Sequence, residues 1–272
     1  MRVRPAQSLI VVGASAGGVE ALRELTAGLP IDLPAAVLVV LHLPPGRGSA
    51  LDAILDRVGP LPAVTARHGE RLQAGTVYTA VPDQHLLVEA DRIALSHGAT
   101  ENGYRPSVDA LFRSAAMAWG SRVIGVVLSG TLGDGTVGLL AIKSRGGLAV
   151  VQDPRDALHR GMPDSALAQV TVDRVLSAQK LGGALADMAQ PPDRPSGAIT
   201  EQSPRQRPAE EQKALWAALR ALEEKRRLAD QMSDNARRNG LYELAQRYAD
   251  QGVEQAEAAE VLREMLLGPA SG

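Results

Sequence analysis

Short apolar runs alternate with helix-type patterns through the first 190 residues, and this alternation most constrains the fold. Strands are predicted at residues 8–12, 36–41, 123–128 and 148–152, and helices at 19–28, 49–57, 107–119 and 135–145. Strands that are apolar throughout are buried on both faces and need helices on both sides of the sheet. The sequence therefore predicts an α/β fold with a mostly parallel, doubly wound sheet, Rossmann-like in having three layers.

The pattern is weaker between residues 76 and 95. Residues 76–79 and 85–88 are predicted to form a short strand pair around the turn at Pro82 and Asp83, and residues 92–95 a further strand. Ser107 follows Pro106 at the start of a helical pattern, so we expect it to be the N-cap of that helix.

Composition changes after residue 190. Residues 191–208 hold five prolines among polar side chains, which is typical of a linker. Residues 209–272 are rich in Ala, Leu, Glu, Arg and Gln and predict two helices with a break at Asn239 and Gly240. The expected apolar stripes are Leu215, Leu219 and Leu222 on the first helix, and Leu241, Leu244 and Tyr248 on the second.

We therefore expect a main domain at residues 1–190, a linker at 191–208 and a C-terminal helical hairpin at 209–272. A hairpin that closes on itself or packs on the main domain is the simpler interpretation. The alternative is a helix pair that docks a signalling partner or self-associates.

Composition also excludes several classes of protein. A net charge of -2 and 3% aromatic residues give no reason to expect a nucleic-acid partner. The absence of cysteine excludes thiolate catalysis and cysteine-bound metals. The four remaining histidines besides His42 show no metal-type spacing, and no apolar run approaches a membrane span. We expect a cytoplasmic protein with no membrane insertion and no metal site.

A serine stands where the first strand turns into a helix. Ser15 is the centre of G-x-S-x-G between Gly13 and Gly17, which is the pattern of a nucleophile elbow. The helix that follows directs free backbone N–H groups towards any oxyanion that forms there. A strand, glycine loop and helix also cradle phosphate in nucleotide-binding folds, but the G-x-G-x-x-G spacing is not matched. A nucleotide loop therefore stays as an alternative for this segment alone.

Two further reactive side chains follow other predicted strands. His42 comes after residues 36–41, and Asp134 lies in a glycine-rich turn after residues 123–128. Each has an ordinary explanation, since a histidine can be a core residue and an aspartate a turn former or helix cap. The carboxyl ends of parallel strands share one edge of a sheet, so Ser15, His42 and Asp134 should converge there. Nucleophile, base and base-orienting carboxylate form the set that acyl transfer needs.

In the segments around Ser15, His42 and Asp134, in several further sequence blocks and in the order of all of them, the chain resembles the catalytic domain of chemotaxis protein-glutamate methylesterases of the CheB type. The resemblance covers residues 8–188. The matching blocks are Gly13-Ala-Ser15-Ala-Gly17-Gly18, His42-Leu-Pro44-Pro45-Gly46, Arg105-Pro106-Ser107-Val108-Asp109 and Gly130-Thr-Leu-Gly-Asp134-Gly135, with weaker support from Val81-Pro82-Asp83-Gln84-His85 and Gly161-Met162-Pro163.

The resemblance implies a serine hydrolase that demethylates glutamate γ-methyl esters on chemoreceptor-type signalling helices and releases methanol. Some members also deamidate glutamine, and the family implies no metal or organic cofactor. Ser15, His42 and Asp134 match the family triad. Thr131 stands where the family often has methionine, whose backbone N–H is thought to contribute to the oxyanion hole, and Ala16 replaces a common threonine.

Other consequences of the resemblance stay open. Arg105 either grips an acidic receptor helix or forms a structural ion pair. The catalytic strand begins near Ser8, so we expect a stand-alone form without the receiver domain that covers and controls the active site in the typical family member. We expect the C-terminal helices to take over this control, by docking a signalling partner or by restricting the cleft. The changed residues beside Ser15 and Asp134 leave a second hypothesis, a weak or inactive CheB-like scaffold in a signalling complex.

Overall fold

The computed structural model describes residues 4–42, 49–189, 209–238 and 241–267. The chain divides into two compact units, residues 1–195 and 196–272. The predicted linker at 191–208, the break at Asn239 and Gly240, and the residues from Pro44 to Gly46 lie outside the described residues.

A parallel sheet of seven strands forms the centre of the first unit. The described strands are β1 (Ser8–Ala14), β2 (Ala35–Leu41), β3 (Ala63–Thr65), β4 (Thr76–Thr79), β5 (His85–Glu89), β6 (Arg92–Ser96), β7 (Val123–Val127), β8 (Leu148–Gln152) and β9 (Arg174–Leu176). The sheet order is β3-β4-β2-β1-β7-β8-β9, and every neighbouring pair in it is parallel. Because β1 lies at the centre, the ends of β2 and β7 flank the end of β1.

Helices cover both faces of this sheet. They are α1 (Gly18–Ala27), α2 (Leu51–Val58), α3 (Val108–Trp119), α4 (Thr136–Ser144), α5 (Gly161–Gln169) and α6 (Ala178–Ala189). Helix α1 packs on α2 and α6, whereas α4 packs on α3 and α5. The side chains of β1 alternate between the two faces of the sheet. Ile10 and Val12 pack in the core with α1, α2 and α6, and Leu9 and Val11 are also fully buried. The three-layer, doubly wound α/β prediction is therefore confirmed.

The predicted pairing of residues 76–79 with residues 85–88 is wrong. Strand β4 lies between β2 and β3 in the parallel sheet, and β5 pairs antiparallel with β6 instead. In the turn from β5 to β6, Ala90 adopts a positive φ of 52°. Glycine or asparagine usually marks such a turn, so an alanine there leaves this hairpin without its sequence signal. Elements β3, β9, α5 and α6 were not predicted, and the two strands have only three residues each.

The second unit contains the helices α7 (Ala209–Arg238) and α8 (Tyr242–Leu267). Leu219 is buried, as the α7 stripe predicts, but Leu241 and Leu244 are exposed, so the stripe predicted for α8 is wrong. The buried residues of α8 include Ala245 and Ala259, and Ser233 Oγ of α7 donates a hydrogen bond to the Ala245 carbonyl at 2.8 Å. Small side chains at this seam let the helices approach closely, which a search for large apolar residues misses. None of the described helices is long and apolar enough to span a bilayer.

Candidate active site

Ser15 lies in a tight turn between β1 and α1. Its backbone N–H donates to the Ser129 carbonyl at 2.9 Å, and its carbonyl accepts from the Gly18 N–H at 2.9 Å. Gly17 has a φ of 71°, and a Cβ at this position would lie 2.8 Å from Ser129 Oγ and from Leu158 Cβ. Both the backbone conformation and the available space therefore require glycine here. The turn has the form of the predicted nucleophile elbow.

His42 follows β2, directly beside the nucleophile turn. The last register pair of β1 and β2 is Ala14 with Leu41, so Ser15 and His42 are the next residues on neighbouring strands. His42 Nε2 lies 2.8 Å from Asp134 Oδ2, and the two side chains are only 3% and 1% exposed. The sheet thus brings the three predicted triad residues to one edge.

The imidazole of His42 has a defined orientation. Because Nε2 faces a carboxylate, Nε2 carries the proton and Nδ1 keeps a free lone pair in the neutral ring. Nδ1 is buried and has no hydrogen-bond partner among the described residues. Tyr104 stacks on the ring with centroids 3.7 Å apart and planes at 7°. Nδ1 is therefore the ring nitrogen that is available to accept a proton, and in the structure it makes no hydrogen bond to Ser15 Oγ.

Five donors surround the Asp134 carboxylate. This residue lies before α4 and beside the first turn of α3, whose free backbone N–H groups favour an anion. Oδ2 accepts from His42 Nε2 and, at 2.7 Å, from the Val108 N–H; Oδ1 accepts from Asn102 Nδ2 at 2.8 Å, from Ser107 Oγ at 3.0 Å and from the Asp109 N–H at 3.1 Å.

These contacts decide the charge of Asp134. Burial alone would raise its pKa, but the hydrogen bond and charge of His42, the Val108 N–H and the Asn102 amide hold the pKa well below its usual range. Asp134 is therefore an anion at neutral pH and stabilises the imidazolium that forms when His42 accepts a proton.

A second buried carboxyl lies beside the triad. Asp109 Oδ1 accepts from the Gly138 N–H at 2.6 Å, and Oδ2 accepts from Asn102 Nδ2 at 2.8 Å. Burial and the charge of Asp134 raise the pKa of Asp109 to about 7, against the lowering effect of Arg113. The site therefore contains one strongly acidic and one weakly acidic carboxyl.

The turn that leads to Asp134 lies against the nucleophile. A Cβ on Gly130 would lie 2.9 Å from Ser15 Cβ and 2.1 Å from Met162 Sδ, so only glycine fits between them. Met162 belongs to the Gly161-Met162-Pro163 block, which therefore supports this turn from α5. Thr131, the next residue, has an exposed side chain.

Comparison with known proteins identifies the family. Residues 10–185 match the family model described as CheB methylesterase. The chain belongs to this family. A relative from Leptospira interrogans is 39% identical over 173 residues, which cover 63% of this chain and 90% of the relative. The protein-glutamate methylesterase/protein-glutamine glutaminase of Paraburkholderia xenovorans is 41% identical over 179 residues, covering 64% of this chain and 49% of that protein.

A solved structure agrees with the family assignment. The crystal structure of the Thermotoga maritima CheB methylesterase catalytic domain matches with a TM-score of 0.64 and 33% identity. The match covers 66% of this chain and 98% of the Thermotoga chain. The CheB fold therefore accounts for the seven-stranded unit.

Arg105 of this CheB-family chain makes several contacts with its own surroundings. Its Nη2 and Nε lie 2.7 and 2.9 Å from Asp83 Oδ1, and Nη1 donates to the carbonyls of His97 and Gly98. The side chain is 24% exposed. The structural ion pair is thus observed, and a contact with a receptor stays a prediction.

The sequence did not assign site roles to Asn102, Tyr104 or the Ser107 hydroxyl. Ser107 occupies the N-cap position of α3, as predicted, but its hydroxyl bonds Asp134 and makes no capping hydrogen bond. Asn102 precedes Gly103, and such a pair predicts only a turn. Stacking of Tyr104 on His42 joins residues distant in sequence, so no local pattern signals it.

His85 has a structural role in the same region. Its Nδ1 accepts from the Ser107 N–H at 3.2 Å, so Nε2 carries the proton and donates to the Ala99 carbonyl at 2.9 Å. These bonds tie β5 to the loop before α3. Among the residues that the structure describes, no group of three or more histidine and acidic side chains is arranged to hold a metal.

Proposed function

We propose that this chain is a serine hydrolase that cleaves glutamate γ-methyl esters on chemoreceptor-type signalling helices and releases methanol. The observation that carries the proposal is the His42 Nε2 to Asp134 contact, which leaves Nδ1 unpaired beside the strand end that bears Ser15. This arrangement is found in a chain of the CheB methylesterase family.

Acylation begins with the Ser15 hydroxyl. His42 Nδ1 takes the hydroxyl proton while Oγ bonds to the γ-carbonyl carbon of the ester, and Asp134 stabilises the imidazolium. The tetrahedral intermediate then expels methoxide, which takes the proton from Nδ1 and leaves as methanol. The product of this half-reaction is a glutamyl ester on Ser15.

Deacylation repeats these steps with water. A water molecule gives a proton to His42 Nδ1 and attacks the glutamyl ester carbon. Collapse of the second intermediate returns the proton to Ser15 Oγ and releases the glutamic acid side chain, which then loses its proton to water and becomes the carboxylate. The enzyme ends in its starting state, so the cycle consumes only the ester and water.

The backbone N–H groups of Ala16 and Thr131 are our candidates for the oxyanion hole. Ala16 follows the nucleophile in the turn that leads into α1, and Thr131 follows Gly130, which lies against Ser15. Neither N–H donates a hydrogen bond to another described residue. Two fixed donors at the nucleophile would stabilise the negative charge of the intermediate.

Family membership supports a proposal on the substrate range and the location. The Paraburkholderia relative is named for glutaminase as well as methylesterase action, and the same attack on a glutamine side chain would release ammonia. We propose methylated receptor-like signalling helices in the cytoplasm as the partner, with Arg105 at the rim of the site as a contact for their acidic side chains.

Methanol release from a methylated receptor tests the proposal. We expect release by the wild type and none above background by Ser15→Ala, with wild-type release by Ser121→Ala, because Ser121 is exposed and distant in the fold. Equal release by wild type and Ser15→Ala, or no release by the wild type, would contradict the proposal. The second result would favour the scaffold hypothesis.

A further inference from the structure

One side-chain amide joins the triad carboxylate to the second buried carboxyl. Asn102 Nδ2 donates to Asp134 Oδ1 and to Asp109 Oδ2, both at 2.8 Å. The three side chains come from different parts of the fold: the loop between β6 and α3, the turn before α4, and the first turn of α3.

We propose that Asn102 is a positioning residue of the triad, whose amide holds Asp134 so that Oδ2 faces His42. Asp109, as the second acceptor, fixes the amide in turn. The proposal rests on the serine-hydrolase function for its kinetic test, but its structural claim concerns the His42–Asp134 hydrogen bond alone.

The number of bonds at this amide supports a positioning role. Both hydrogens of Nδ2 are used, one for each carboxyl, so rotation of the amide would break a bond to a buried acceptor. Oδ1 of Asp134 receives Asn102 and Oδ2 receives His42, so Asn102 opposes rotation of the carboxylate away from the imidazole. Bonds to a charged acceptor at a buried site are stronger than neutral ones.

The charges around Asn102 favour an uncharged donor. Asp134 is paired with His42, while Asp109 has Arg113 nearby, and Arg113 also forms an ion pair with Glu101 at 2.6 Å. A carboxylate in place of the amide would put a third acidic group between two buried carboxyls and could donate no hydrogen bond once ionised. Asparagine supplies two donors without adding charge.

The loop holds Asn102 in a conformation that few residues adopt. Its φ is 54°, in the left-handed region that glycine, asparagine and aspartate tolerate best. Glu101 and Tyr104 exchange two backbone hydrogen bonds of 3.0 and 2.9 Å around it. The amide is therefore presented by a fixed turn, and Asn102→Gly and Asn102→Asp can replace it without backbone strain.

Kinetics of methyl-ester hydrolysis give the first test. We expect Asn102→Gly to lower kcat about 10–100-fold, as removal of an outer-shell group that orients a metal ligand does, while KM changes less than about twofold. Asn102→Asp keeps the shape but replaces two donors with at most one, since a carboxyl between two buried carboxyls donates only when it is protonated, so it should be impaired as well. Wild-type kcat in Asn102→Gly, or a change in KM alone, would overturn the proposal.

The proton on His42 Nε2 gives a second readout that does not depend on activity. Proton NMR of the wild type should show a low-field Nε2–H signal from the bond to Asp134, and this signal should move upfield or broaden away in Asn102→Gly. Ser96→Ala is the matched control, because Ser96 ends β6 and, among the described residues, its Oγ accepts from the Gly98 N–H and contacts no member of the Asn102 network, so the signal and kcat should stay unchanged.

An unchanged low-field signal in Asn102→Gly would refute the positioning role, whatever the kinetics show. Thermal melting of each variant checks that the fold is kept. If the wild type releases no methanol, the proposed function fails, while the NMR comparison still decides the role of Asn102.

Discussion

At the scale of single residues, the orientation of the His42 ring determines which atoms can react. Nε2 is committed to Asp134 at 2.8 Å, so Nδ1 is the ring nitrogen that acts as the base in the proposed mechanism. In the common serine-protease arrangement the two ring nitrogens have the opposite roles. The sequence proposes Ser15, His42 and Asp134 as a triad, but it could not predict which ring nitrogen faces Asp134, because that depends on where the strand ends place the ring.

Asp134→Asn tests this orientation. The new amide would donate to Nε2 and so leave the ring proton on Nδ1, where it blocks proton transfer from Ser15. We expect kcat for ester hydrolysis to fall about 10³–10⁴-fold, with a small change in KM. Steady-state methanol release gives both constants, and circular dichroism checks the fold. A loss below about tenfold would show that Asp134 does not set the tautomer.

At the scale of elements, the first turn of α3 organises the site. It supplies the Val108 and Asp109 N–H groups to Asp134, and the loop before it supplies Asn102, Ser107 and the Tyr104 ring. The sequence predicted the helix because its apolar spacing is local. The loop contacts could not be predicted, since they join residues about 30 to 60 positions apart that no periodic pattern relates.

The raised pKa of Asp109 predicts how stability depends on pH. Between about pH 4 and pH 7 the unfolded chain loses this proton while the folded chain keeps it, so its stabilising contribution declines as pH rises to about 7. Asp134 has a lowered pKa and acts in the opposite direction, because its contribution is lost as pH falls below about 4.

Asp109→Asn removes the first of these effects. The free energy of unfolding of the Asp109→Asn variant should therefore fall less between pH 5 and pH 7.5 than that of the wild type. Urea unfolding of both proteins at the two pH values measures the difference. Parallel pH dependence in wild type and variant would show that Asp109 does not titrate in this range in the folded protein.

At the scale of the whole molecule, the order of the sheet brings the site together. β1 lies between β2 and β7, so three strand ends far apart in sequence deliver Ser15, His42 and the turn to Asp134. The parallel sheet could be predicted because its central strands β2, β1, β7 and β8 are apolar runs, whereas β3 and β9 have only three residues each. The β4–β5 pairing and the α8 stripe were wrong, because an alanine in a turn and small residues at a helix seam carry little sequence signal.

The site residues all lie in the first compact unit, between Ser15 and Met162. A role of the C-terminal helices in self-association, partner docking or control of activity stays a prediction from their composition.

The central claim is that His42 and Asp134 activate Ser15 as a nucleophile. Covalent labelling of the full chain with a fluorophosphonate, mapped by peptide mass spectrometry, tests it most directly. We predict a single adduct on Ser15 that is abolished in His42→Ala and kept in Ser121→Ala. An unlabelled wild-type Ser15, or equal labelling after loss of the imidazole, would contradict the account.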